Sequence, residues 1–127
     1  MANVIELQGV SFAYEDRLIL EDLNLLINEG DFLAIVGPNG GGKTTLLRLL
    51  LGNLEPVRGT AKIFNLPPRK ARPFIGYVPQ QNVVDRDFPV SALEVVLMGR
   101  LRPRSYFPRY QPADYTAAYE AMGAVGV

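Results

Sequence analysis

Apolar and polar residues alternate in places along the first part of the chain. Val4, Ile5 and Leu7, then Val10, Phe12 and Tyr14, predict a strand over residues 3–14 with a kink at Gly9. Glu15-Asp16-Arg17 is a polar turn. Leu18-Ile19-Leu20 follows, and Leu23, Leu25 and Ile27 then share one face with Asp22, Asn24 and Asn28 opposite, which predicts a half-buried strand. Asn28-Glu29-Gly30-Asp31 turns the chain into Phe32-Leu33-Ala34-Ile35-Val36, a short apolar run that predicts a buried strand. Thr45 to Leu51 is rich in leucine and closed by Gly52-Asn53, so a helix is expected there. After a break at Pro56 and Gly59, Thr60–Phe64 and Phe74–Val78 read as strands, the second ending at Pro79-Gln80-Gln81. Pro67 to Pro73 between them is an exposed basic connection with room for one helical turn.

The pattern changes after Gln81. Asn82 to Pro89 is a polar loop. Ser91, with Glu94 three residues on, forms a capping box that opens a helix running through Met98 to Gly99. Arg100 to Pro112 carries arginines, prolines and aromatics and is loop-like. Asp114 to Met122 predicts a second helix, with Tyr115, Ala118, Tyr119 and Met122 as its packing stripe. The expected fold class is α/β, a core sheet with an antiparallel β element before it.

Between the buried strand and the leucine-rich helix lies Gly37-Pro38-Asn39-Gly40-Gly41-Gly42-Lys43-Thr44-Thr45, which fits G-x-x-x-x-G-K-[ST], the phosphate-binding P-loop. Strand, glycine loop and helix are the context that this chemistry requires. Nucleotide phosphates are anionic, and backbone N–H groups bind them well. The glycines let the loop curl so that successive N–H groups point inward. A helix opening at about Gly42 adds unpaired first-turn donors and the positive end of its dipole. Lys43 supplies a full charge to the outer phosphates, and the Thr44 hydroxyl is placed to ligate the magnesium ion that bridges them.

Composition narrows the field. The 127 residues suffice for one modest domain, and 48% hydrophobic content favours folding over disorder. Acidic and basic residues balance at 13 each, which argues against a nucleic-acid binder. Cysteine is absent, which removes thiolate chemistry and cysteine zinc sites. No signal-peptide pattern opens the chain, and no apolar run approaches the roughly 20 residues of a membrane span, so any membrane role is expected to come through a partner.

With these pieces in order, the chain resembles the nucleotide-binding domain of ATP-binding cassette (ABC) transporters, over essentially its whole length but matching only the first part of that domain. The loop GPNGGGKTTLLRLLLG has the form typical of that family. Val10-Ser11-Phe12-Ala13-Tyr14 matches the family's A-loop, which implies that Tyr14 stacks on adenine. Ile75-Gly76-Tyr77-Val78-Pro79-Gln80 matches the segment leading to the Q-loop, which implies that Gln80 reaches the magnesium and the attacking water; Gln81 is the alternative. Phe88 to Arg100 resembles the group serving zinc or manganese importers, with iron-chelate or cobalamin importers similar. The resemblance implies ATP and Mg2+ as cofactors and catalytic roles for Lys43 and Gln80. It implies a transmembrane permease and a second ATPase subunit as partners, cargo delivered by a separate binding protein, and a peripheral place on the cytoplasmic face of the membrane. Residues 1–88 would be the β element and P-loop core, and 89–127 the start of a helical subdomain.

Other expectations follow from what the sequence lacks. It has no LSGGQ-like segment, no aspartate after four apolar residues, no glutamate beside one and no histidine. Asp85 follows only Val83-Val84 and is a poor substitute. The chain therefore looks like a fragment or truncated product, which on its own would bind nucleotide or a partner without hydrolysis. Arg100, Arg102, Arg104 and Arg109 are expected to form a solvated face or a contact with the membrane subunit or lipid.

Overall fold

A hairpin organises the first half of the chain. In the computed structural model, which describes residues 2–80, 89–101 and 110–127, β1 (Asn3–Tyr14) and β2 (Arg17–Asn28) run antiparallel and are joined by Glu15-Asp16. Tyr14 stands directly opposite Arg17. A third strand, β3 (Arg58–Ile63), pairs antiparallel with the other edge of β1, so the sheet order is β2-β1-β3. The expected kink is present: Gly9 has φ +58° where the register shifts between Leu7 and Val10. A bulge frees backbone groups from the ladder. Side chains take some of them up, as the Gly9 N–H donates to Asn24 Oδ1 at 2.9 Å and the Asp22 N–H to the Ser11 hydroxyl at 2.9 Å.

The helix after the glycine loop, α1 (Lys43–Leu50), packs its inward stripe on this sheet. Leu46 and Leu49 join Leu7, Val10 and Phe12 in one buried cluster, with Ile5, Leu23 and Leu25 packed around it. Helical spacing sends Leu47 outward. The far end of α1 is tied down: the Arg72 Nε–H donates to the Leu51 carbonyl at 2.6 Å and Nη2 to Asn53 Oδ1 at 2.7 Å. Arg72 belongs to the expected basic connection, which forms a short helix α2 (Pro68–Ala71) and a 3-10 turn at Arg72–Phe74.

Two expected strands are not formed. Phe32–Val36 and Ile75–Val78 have no strand pairing among the described residues, and Phe74 closes the 3-10 turn instead. A strand is defined by its ladder of backbone partners, and apolar composition alone does not supply one. Phe32 is 98% exposed and Val36 88%.

The chain divides into two compact units, Met1–Val78 and Pro79–Val127. In the second, α3 (Ala92–Leu97) opens with the expected capping box: the Glu94 N–H donates to the Ser91 hydroxyl, and the Ser91 N–H to the Glu94 carboxylate. A 3-10 turn at Met98–Arg100 follows. The second helix, α4 (Pro112–Ala124), starts two residues earlier than expected. Its buried face is Asp114 and Ala118, whereas Tyr115 and Tyr119 of the expected stripe are 41% and 60% exposed. The reason is an ion pair that a hydrophobic pattern does not register. The Arg100 Nε–H donates to Asp114 at 2.9 Å, so Arg100, solvent-exposed as expected, is also paired within this unit. The readings for Gln81, Asn82, Asp85, Arg102, Arg104 and Arg109 fall outside the described residues.

Leu49 is 1% exposed at the centre of the α1–sheet cluster. Leu49→Ala is expected to lower the unfolding free energy by about 2–5 kcal/mol, measured by denaturant titration. A cost below about 1 kcal/mol would mean that the cluster does not hold the unit together.

Candidate phosphate-binding site

The site is built from the N-terminus of α1 upward. Gly42 is its N-cap, with φ +93° and ψ 2°. This left-handed conformation strains any other residue by about 1–2 kcal/mol. Space is tight as well: a Cβ on Gly42 would stand 2.9 Å from Leu20 Cδ2 and 3.3 Å from the Ile19 carbonyl, so the Leu20 side chain would have to shift. Glycine lets the helix start flush against β2 without that strain or shift. No side chain caps the first turn, and no acidic residue stands in it. Its amides and the positive end of its dipole thus face the loop without a protein partner of opposite charge.

The loop is closed by its own lysine. Lys43 Nζ donates to the Gly37 carbonyl and to the Pro38 carbonyl, the latter at 3.2 Å. The Gly41 N–H donates to Pro38 O at 3.1 Å, which forms the turn between them. The ammonium therefore waits at the mouth of the loop on weak neutral acceptors. A phosphate oxygen, which carries charge, is a stronger acceptor for it.

A pocket of about 450 Å³ opens here, lined by Asn39, Gly40, Gly42, Lys43, Thr44 and Thr45, with Arg17 and Ile19 of β2 as its other wall. Thr44 is exposed, so its hydroxyl is open to a ligand, while Thr45 is buried against the sheet. Among the described residues, the two charged ones that line the pocket are both cations, and no carboxylate lines it. Gly37, Pro38 and Gly41 shape the loop behind Lys43. Tyr14 stands at the end of the same hairpin, 41% exposed, its ring edge-on to Phe12 at 4.8 Å between centroids. Its hydroxyl accepts a long hydrogen bond from Arg48 of α1 at 3.4 Å. Gln80 belongs to the second unit and is exposed.

Sequence reasoning missed Arg17, Ile19 and Arg48. A signal for Arg17 was available: a two-residue turn after Tyr14 makes Arg17 its cross-strand partner, on the same face of the sheet. For Arg48 there was none, because its partner lies 34 positions away.

A glycine loop, a cation at its mouth and an uncapped helix start, seated on a β-sheet, make up the candidate phosphate site. Residues 20–126 match the family model for the ABC transporter, and the chain belongs to that family. It is 41% identical over 97% of its length to the manganese transport system ATP-binding protein MntB of Bacillus subtilis, and 36% identical over 99% to the zinc transport system ATP-binding protein TroB of Treponema pallidum. The chain spans about half the length of these curated relatives, 49% and 47%. Among solved structures, an ABC transporter described as metal-chelate type, in an inward-facing conformation, superposes with TM-score 0.78 at 31% identity, over 99% of this chain and 46% of that one. The α/β fold expected from the sequence is that of these ATPase domains.

Gly42→Ala is expected to lower stability by at least about 1 kcal/mol from backbone strain, with the clash against Leu20 added. Thermal denaturation measures it. A variant as stable as the parent would show that the loop does not seat on β2 as described.

Proposed function

We propose that this chain forms the ATP-binding loop region of the motor subunit of an ABC importer for metal ions. The observation that carries this reading is the pocket in which Lys43, Thr44 and the α1 N-terminus converge, with no carboxylate among the described lining residues. Such a pocket selects a polyanion. The relatives, manganese and zinc transport system ATP-binding proteins, support zinc or manganese as cargo. Import of a metal chelate is the second reading, favoured by the 31% identical solved transporter of that type.

In this reading Lys43 leaves the Gly37 and Pro38 carbonyls for the outer phosphates. The first-turn amides hold the phosphate oxygens in place, and the exposed ring of Tyr14 stacks on the adenine. The residues fit a magnesium ion that arrives with the nucleotide. The Thr44 hydroxyl offers one oxygen donor, and no cluster of three metal-ligating side chains exists among the described residues to hold an ion alone. Magnesium bound there would neutralise charge on the phosphates. Gln80 is proposed as a further ligand to it and as the contact to the attacking water.

The wider assembly belongs to the same proposal: a permease in the membrane, a second ATPase subunit closing the site, and a separate protein that delivers the cargo. No described helix is long and apolar enough to cross a membrane. This is compatible with a peripheral subunit at the cytoplasmic face.

Lys43→Ala is expected to weaken magnesium–ATP binding at least tenfold, or about 1.4 kcal/mol, by titration calorimetry on the intact protein. Equal affinities would end the assignment of Lys43 to the phosphates. Tyr14→Ala is expected to cost about 1–3 kcal/mol of ATP affinity through the lost stack, while Tyr14→Phe costs little, since the Arg48 contact at 3.4 Å is weak. If phenylalanine were as damaging as alanine in the same titration, the hydroxyl and not the ring would be the working group.

A further inference from the structure

We propose that Arg17 is a second cationic contact for the bound nucleotide, engaging the phosphate nearest the sugar while Lys43 engages the outer ones. The inference rests on the nucleotide reading of the P-loop pocket and adds a residue to it. Arg17 and Lys43 are the charged residues of the pocket wall. Arg17 is exposed, and among the described residues no carboxylate bridges it. Its guanidinium is therefore open to a ligand.

Strand geometry fixes where it stands. Ile19 packs against Gly42 at the start of α1, where the phosphate-binding amides are. Arg17 lies two residues back along β2, across the register shift between Phe12 and Ala13, and lines the same pocket. It is also the directly opposed partner of Tyr14. The helix start, Ile19 and Arg17 thus share this wall, and Tyr14 stands beside Arg17 on the neighbouring strand. A nucleotide with its terminal phosphates on Lys43 and its base on Tyr14 must pass Arg17 with its inner phosphate. A guanidinium suits that position, because its planar fork grips phosphate oxygens in two places where an ammonium offers a point charge.

The test compares binding of ATP and of inorganic tripolyphosphate, each with magnesium, to the intact protein and its Arg17→Ala, Arg17→Lys and Lys43→Ala variants. Melting temperatures check that each variant is folded. Arg17→Ala is expected to weaken both ligands by about tenfold, the weight of one charge-assisted contact, with Arg17→Lys recovering part of the loss. Parent-like affinity in Arg17→Ala, with Lys43→Ala impaired, would overturn the inference and leave the P-loop reading standing. A loss for ATP with none for tripolyphosphate would also overturn it, and would place Arg17 on the base or sugar. A parent that binds neither ligand would overturn the P-loop reading and the inference together.

Discussion

The structure depends on the contact of Gly42 with Ile19 and Leu20. That contact joins the glycine loop to the sheet, and every part of the site is positioned from it. With no side chain at residue 42, α1 starts flush on β2. Leu46 and Leu49 then reach the cluster of Leu7, Val10 and Phe12. The same contact turns the first-turn amides toward the pocket and makes β2 the pocket's second wall. Core packing and ligand geometry thus share one close approach. A fault there would loosen both, which is why the loop cannot be treated as a mobile strap attached to an independent core.

The loop's two flanks differ. On the helix side, burial and the Arg72 contacts to Leu51 and Asn53 hold α1 at both ends. On the strand side, residues 31–38 and 75–79 have no ladder partners among the described residues, and several large apolar side chains stand exposed along them. Unpaired backbone and exposed apolar surface favour association with further strands. The rigidity of the pocket therefore comes from the helix and the hairpin.

What could be read from the sequence follows the range of the interactions involved. The hairpin, the kink at Gly9, the α1 helix and the capping box of Ser91 and Glu94 were legible, because each rests on alternation or on residues a few positions apart. The loop residues from Gly37 to Thr45 were legible as a motif, because backbone chemistry demands that spacing. The strands at Phe32–Val36 and Phe74–Val78 were misread, because an apolar run states that a segment prefers burial and not that a partner strand is at hand. The face of α4 was read only in part: Ala118 is buried as expected, but Tyr115 and Tyr119, more hydrophobic than Asp114, stay exposed while the Arg100 ion pair takes Asp114 inward. Arg17 was read as part of a polar turn, although its pairing with Tyr14 follows from the turn length.

Charge makes the last connection. The chain is formally neutral, with 13 residues of each sign, so no long-range field draws anions toward it. Selection for a polyanion must then be local, and the arrangement around α1 supplies it. The helix start carries no acidic residue in its first turn, and the charged residues of the pocket wall, among those described, are cations. The carboxylates that flank Arg17 and Ile19 in sequence, Glu15, Asp16 and Glu21, stay outside the pocket lining. A neutral chain with a positive recess of this kind suits the compact triphosphate proposed above, whereas extended polyanions such as nucleic acid need a broad basic face. The balance of charge along the sequence and the imbalance inside the pocket are two aspects of one specificity.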